Sequence, residues 1–359
     1  MKNLELKKYR PSASKHCFIL TNGHLVDILS SKYARRIALK IFDDVSVESE
    51  ADMYKVLWGD PPAEGQPRRN TTLWEATQIQ NIAAMYGLAP RVYGLETVYL
   101  GRQLRPAQVI ELADPSWQTL QEAENVYHQI IELGKKYGFT IGKPDVSARD
   151  CMSGKLVDFQ TFYFNKPYKE TVRQVYCEEG KYGKVYYQDV PELELSGGPR
   201  KSELRIKELG LDKIDFKGKT VWDIGCAGGY FTRYAMEHGA AQVTGFDMKE
   251  SVIAAKNVAN YLGYFNISYE VADLREKEVL VDRAKPDIVL FLSLNYHIGI
   301  PSFLKYCPFV VFEDNGKETR HNELGNPWIS WFKKIDYLGE CTDHGSKRIY
   351  KLSNNASTL

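Results

Sequence analysis

Asp223 closes an apolar run and is followed at once by a glycine-rich turn, in VWDIGCAGGYF at 221–231. Glycines in such a turn, among them Gly225 and Gly229, let the backbone approach a ligand closely. A glycine turn after a first strand also serves dinucleotides, so by itself it does not choose the ligand. The next acids narrow the choice. Asp247 ends the run GFD, 24 residues further on (247 − 223), where a carboxylate can accept both hydroxyls of a ribose. Asp273, in VADL, ends the third run and is placed to accept an adenine amine.

A second group of acids falls in KPDVSARDCMSGKLVDFQ at 143–160. Asp145 is followed five residues later (150 − 145) by Asp150, and Asp158 heads Asp-Phe-Gln. Carboxylates this close repel one another unless a cation sits between them, and oxygen ligands of this kind suit magnesium. Lys40 in IALKIF and Glu75 on the following helical stretch would add a cation and a partner acid.

These residues need elements to position them. From 17 to 43 the runs CFIL, HLVDIL and RRIALKIF alternate with turns and read as three antiparallel strands. Residues 44–70 read as a loop, 71–86 as a helix stopped by Gly87, 91–97 and 106–111 as strands, and 117–137 as a helix. Residues 161–216 read as a connector with a helix at 200–209. From 219 onward strands and helices alternate strictly, which predicts an α/β domain with a parallel, doubly wound sheet. The segmentation is 1–165, 166–215 and 216–359, the first part being α+β.

With three motifs in register, 219–352 resembles the class I S-adenosylmethionine-dependent methyltransferases. That resemblance implies a Rossmann-like sheet, Asp223, Gly225 and Gly229 around the methionine part, Asp247 at the ribose, and Asp273 with Leu274 at the adenine. Ala227 stands where the family often has Gly or Asn. DYLGEC and KRIYKLS resemble the antiparallel hairpin that closes such a sheet. At the carboxyl edge of the fourth strand, SLNYHIG offers His297 as a general base for an acceptor hydroxyl, with Asn295 and Tyr296 to orient the acceptor.

Residues 10–165 resemble a truncated atypical kinase of the small-molecule or polysaccharide type. The resemblance implies Lys40 as the strand lysine, Glu75 as its helix partner, Asp145 as the catalytic Asp, and Asp150 and Asp158 as metal ligands for ATP with magnesium. It is incomplete. The glycine loop is reduced to TNGH at 21–24, Lys143-Pro144 replaces His-Arg, and Gln160 replaces Gly. Two readings follow, similar in logic to bacterial O-antigen kinase–methyltransferase fusions or departing from them. In one, this half binds nucleotide and phosphorylates a glycan or small-molecule acceptor. In the other it is an inactive scaffold that binds a substrate or partner, RNA included.

The chain of 359 residues carries 47 basic and 46 acidic side chains, a formal net charge of +1. That balance does not favour nucleic acid as a general partner. The six cysteines are scattered without a CxxC pair, as reduced cytosolic thiols are. MKNLELKKYR lacks the apolar core of a signal peptide, and the longest apolar run, near DIVLFLSL, is too short to span a bilayer. A cytoplasmic protein with no transmembrane segment is expected.

Overall fold

The computed structural model describes residues 17–33, 35–42, 73–100, 103–112, 119–141, 151–159, 162–179, 181–182, 185–186, 188–195, 201–276, 280–314, 329–341 and 347–354. The loop read at 44–70, Asp145, Asp150, Gln160 and the side chain of Tyr296 lie outside the described residues. The chain divides into two units, 1–171 with 263–266, and 172–262 with 267–359.

The first unit is built on a four-stranded antiparallel sheet of β1 (Cys17–Leu20), β2 (Ile37–Phe42), β3 (Val92–Leu100) and β4 (Gln103–Glu111), in the order β1-β2-β4-β3. HLVDIL, expected as a strand, is instead part of α1 (His24–Lys32). Val26 and Leu29, three apart, are both buried, and Asp27 in the first turn with Lys32 in the last suit the helix dipole. An alternating strand would have placed those two side chains on opposite faces. Helices α2 (Leu73–Met85) and α3 (Leu120–Tyr137) complete this unit's framework. Thr119 and Glu122 form a reciprocal capping box at the start of α3, and Gly138 ends it in the left-handed region.

The second unit holds a seven-stranded sheet. Its strands are β5 (Thr220–Ile224), β6 (Gln242–Asp247), β7 (Ser268–Val271), β8 (Ile288–Leu292), β9 (Phe309–Asp314), β10 (Lys334–Cys341) and β11 (Lys347–Ser353). Their order is β7-β6-β5-β8-β9-β11-β10, parallel from β7 to β9, with β11 antiparallel to both neighbours. The central strands are buried on both faces, as runs such as IVLFL require. Phe231, Val243, Leu290 and Val311 pack on one face, and Ile224, Phe246, Phe291 and Phe312 on the other. The strand order reverses at β5 and β8, so the carboxyl ends of β5, β6 and β8 open into the crevice where such sheets bind ligands.

Four helices of the chain's later part are α4 (Tyr168–Glu179), α5 (Ser202–Glu208), α6 (Tyr230–Glu237) and α7 (Lys249–Leu262). Helix α5 matches the helix expected at 200–209, and α4 lies within the stretch expected as a connector. From Val172 onward α4 belongs to the second unit.

Candidate active site

Asp223 lies at the carboxyl end of β5, paired in register with Gly245 of β6 and Leu290 of β8. Only 2% of it is exposed, and its Oδ2 accepts a hydrogen bond from Thr232 Oγ1 at 2.6 Å. It therefore props the first turn of α6 from below. Burial pushes its carboxyl up to about 6, the nearby negative charge of Asp247 adding to the shift and the Thr232 bond opposing it.

The glycine turn itself runs from Gly225 (φ 77°) through Ala227 (φ 47°) to Gly229 (φ 75°). Gly225 and Cys226 both donate their amides to Phe246 O, at 2.8 and 3.1 Å, which fastens the turn to β6. Two of the glycines are dictated by close packing. A Cβ at Gly228 would collide with the Tyr176 hydroxyl, and one at Gly229 would lie 2.5 Å from the Tyr269 hydroxyl. Tyr176 in turn donates to Gln188 O at 3.0 Å, and the Gln188 side chain accepts from Tyr230 N at 3.3 Å. Tyr176 and Gln188 thus wall one side of the turn.

Asp247, half-buried at the end of β6, accepts from Ala227 N at 2.8 Å through Oδ2 and from Met248 N at 2.7 Å through Oδ1. Burial raises its pKa, against those two amide bonds. Asp273 lies two residues beyond β7. Its carboxylate takes a two-pronged grip from Arg275, with Nε at 2.8 Å and Nη2 at 2.6 Å, which holds the pKa below the usual carboxylate range. Leu274 packs against the core beside it. The carboxyl edge therefore gathers Asp223, Gly225, Gly229, Asp247 and Asp273 along three adjacent strands.

His297 is exposed on the short helix Asn295–Ile298 that follows β8. Asn295, read as an acceptor-orienting residue, is buried, and its amide donates to Asp314 Oδ1 at 2.6 Å. It anchors that short helix to the end of β9. Behind it lies a buried ionic cluster. Arg205 Nη2 reaches Glu313 Oε2 at 2.6 Å, Ser293 also donates to Glu313, and Lys347 Nζ donates to Ser293 Oγ at 2.8 Å. Arg205 comes from the basic stretch PRKSELRIK at 199–207.

In the first unit, Lys40 of β2 is 3% exposed and paired in register with Gln108 of β4. Its Nζ donates to Val157 O at 2.9 Å and lies 3.8 Å from Asp158 Oδ1. Lys40 and Asp158, 118 positions apart (158 − 40), are thus neighbours. Glu75, on α2, accepts from Phe164 N at 2.6 Å. Among the described residues no group of three or more His, Cys, Asp or Glu is arranged to hold a metal.

Residues 215–304 match the family model described as a methyltransferase domain. The second unit therefore carries a methyltransferase domain, on a Rossmann-like sheet. A ubiquinone biosynthesis O-methyltransferase from Coxiella burnetii is 38% identical over 111 residues, 30% of this chain and 45% of that protein. Its counterpart from Neisseria meningitidis is 34% identical over 118 residues, 30% of this chain and 48% of the relative. The chain thus spans about half the length of the curated relatives it matches. Among solved structures, the bifunctional kinase-methyltransferase WbdD aligns at 22% identity with a TM-score of 0.40, covering 48% of this chain and 44% of that one.

Tyr176, Gln188, Thr232 and Arg233, whose Nη1 donates to Gly228 O at 2.8 Å, brace the glycine turn, and sequence reasoning missed them. Thr232 and Arg233 follow the glycine turn inside an ordinary helical pattern, and Tyr176 and Gln188 sit in a Tyr-rich stretch without a motif. The spacing of 52 residues between Tyr176 and Gly228 (228 − 176) carries no signal in one sequence.

Proposed function

We propose that the chain transfers a methyl group from S-adenosylmethionine to a hydroxyl of a small-molecule or glycan acceptor. What carries this reading is Asp247, a half-buried carboxylate at the end of the second strand, bonded to the glycine turn and open to a ribose. The acids fit the donor: Asp223, Asp247 and Asp273 stand at successive strand ends, in the order turn, ribose and adenine. Gly225 and Gly229 would border the methionine part, Asp247 the ribose, and Asp273 with Leu274 the adenine. When bound, the donor supplies an electrophilic methyl on a sulfonium. His297, at the same edge, takes the hydroxyl proton, and Asn295 and Asp314 hold its helix in place. An O-directed acceptor is supported by the name of the Coxiella relative.

The acceptor class is tested by S-adenosylhomocysteine release with three acceptor sets: hydroxylated small molecules and glycans, phosphorylated glycans, and RNA. Release stimulated by hydroxyl acceptors and lowered about 10²–10⁴-fold in His297→Ala supports a general base. Stimulation by RNA alone, or an unaltered rate in the variant, contradicts it.

For the rest of the chain we propose a kinase-like part at 1–165 that binds a nucleotide with a divalent cation, joined by 166–215 to the donor-binding part at 216–359. Its support is the approach of buried Lys40 to Asp158, a cation and an acid of the kinds that phosphates and their metal require. An inactive scaffold is the competing reading.

A further inference from the structure

Arg233 occupies the first turn of α6, next to Thr232, and is 4% exposed. Its Nη1 donates to Gly228 O at 2.8 Å, inside the glycine turn. Among the described residues no carboxylate stands within ion-pair distance of its guanidinium. Tyr176, Tyr230, Tyr269 and the Cys226 thiol lie around it, all pushed up in pKa by burial and therefore neutral, and the acids Asp223 and Asp247 act on the same Cys226 without pairing with Arg233. Arg205, the other buried guanidinium described in this unit, is already matched by Glu313. A buried cation without a counter-ion is costly and calls for an anion from outside the chain.

The anion has to reach the glycine turn. Of the methyl donor's parts, the ribose and adenine fall to Asp247 and Asp273, acids that repel an anion. The amino-acid end is the part that carries a carboxylate. Gly228 O, held by the guanidinium, belongs to the turn that this end would border. A guanidinium is weakly hydrated and presents several N–H donors in a rigid fork, so it can keep Gly228 O and still take a carboxylate. We propose that Arg233 anchors the α-carboxylate of the donor's amino-acid end, an assignment that rests on the donor reading above.

The test compares two ligands on the full chain by calorimetry. S-adenosylhomocysteine has the amino-acid end, and 5′-methylthioadenosine keeps the adenosine and thioether but lacks it. Arg233→Met should weaken S-adenosylhomocysteine about 10- to 100-fold, the effect of one charge-assisted contact, and leave methylthioadenosine within about twofold. Methylthioadenosine binding also reports that the variant is folded. If Arg233→Met does not fold, Arg233→Lys serves instead: it keeps the charge and loses the fork, so the preference for S-adenosylhomocysteine should fall severalfold. An unchanged preference between the ligands, or equal weakening of both, overturns the assignment and leaves Arg233 as support for the turn. Failure of the wild type to bind either ligand would instead reject the donor reading, and the assignment with it.

Discussion

Ala227 donates its backbone N–H to Asp247 Oδ2 at 2.8 Å, joining the glycine turn after the first strand of the parallel sheet to the last residue of the second. One carboxylate thereby fixes the turn and keeps further lone pairs for a ligand. Ala227 holds φ 47°, a left-handed conformation that costs an L-residue about 1 kcal/mol or more. The bond to Asp247 offsets that strain.

The contact between Gly228 and Tyr176 gives a first prediction. Gly228→Ala would drive a methyl into the buried tyrosine ring, and overpacking of this kind costs about 1–3 kcal/mol. Chemical denaturation should show that loss. Combining it with Tyr176→Leu should give less than the sum of the two single effects, because both act on one contact. Strict additivity would mean that the two residues do not meet.

Asp223 sets a pH dependence. Its folded-state pKa of about 6 lies above the ordinary 3.8, so the folded protein binds the proton more tightly than the unfolded chain does. The stability this contributes is full below 3.8 and is lost as pH rises through about 6, at most about 3 kcal/mol over the window. Asp223→Asn lacks that titration. The stability of wild type relative to this variant should therefore fall between about pH 4 and 7, and parallel pH profiles would contradict the assignment.

The two units differ in how far they can be read from sequence. The parallel sheet is plain because β-prone runs alternate with helical ones, and Asp223, Asp247 and Asp273 lie at or within two residues of the ends of β5, β6 and β7. HLVDIL misleads because six residues with apolar positions at 25, 26, 28 and 29 fit a strand or a helix turn, and only packing of Val26 and Leu29 on one face decides. Arg205 and Arg233 look like surface charge because a sequence shows neither Glu313 nor the turn carbonyl that receives them. Asn295 looks like a ligand-facing amide, yet Asp314, 19 positions away (314 − 295), takes it into the interior.

Lys40 and Asp158 yield a prediction for the first unit. ATP should raise the melting temperature of the full chain only with magnesium or manganese present, and Asp158→Ala should abolish the rise. At about 100 times the dissociation constant, linkage stabilises by about 2.7 kcal/mol, a shift of several degrees. No shift with any nucleotide and metal would leave this half a scaffold.

The central claim is that the carboxyl edge of β5, β6 and β7 holds S-adenosylmethionine, and titration calorimetry of the wild type against Asp247→Ala tests it most directly. The wild type should bind the donor one to one. Asp247→Ala should lose about 1.5–3 kcal/mol of binding, the worth of hydrogen bonds to a charged acceptor. Binding of equal strength in both proteins would contradict the claim, as would a wild type that binds no S-adenosylmethionine.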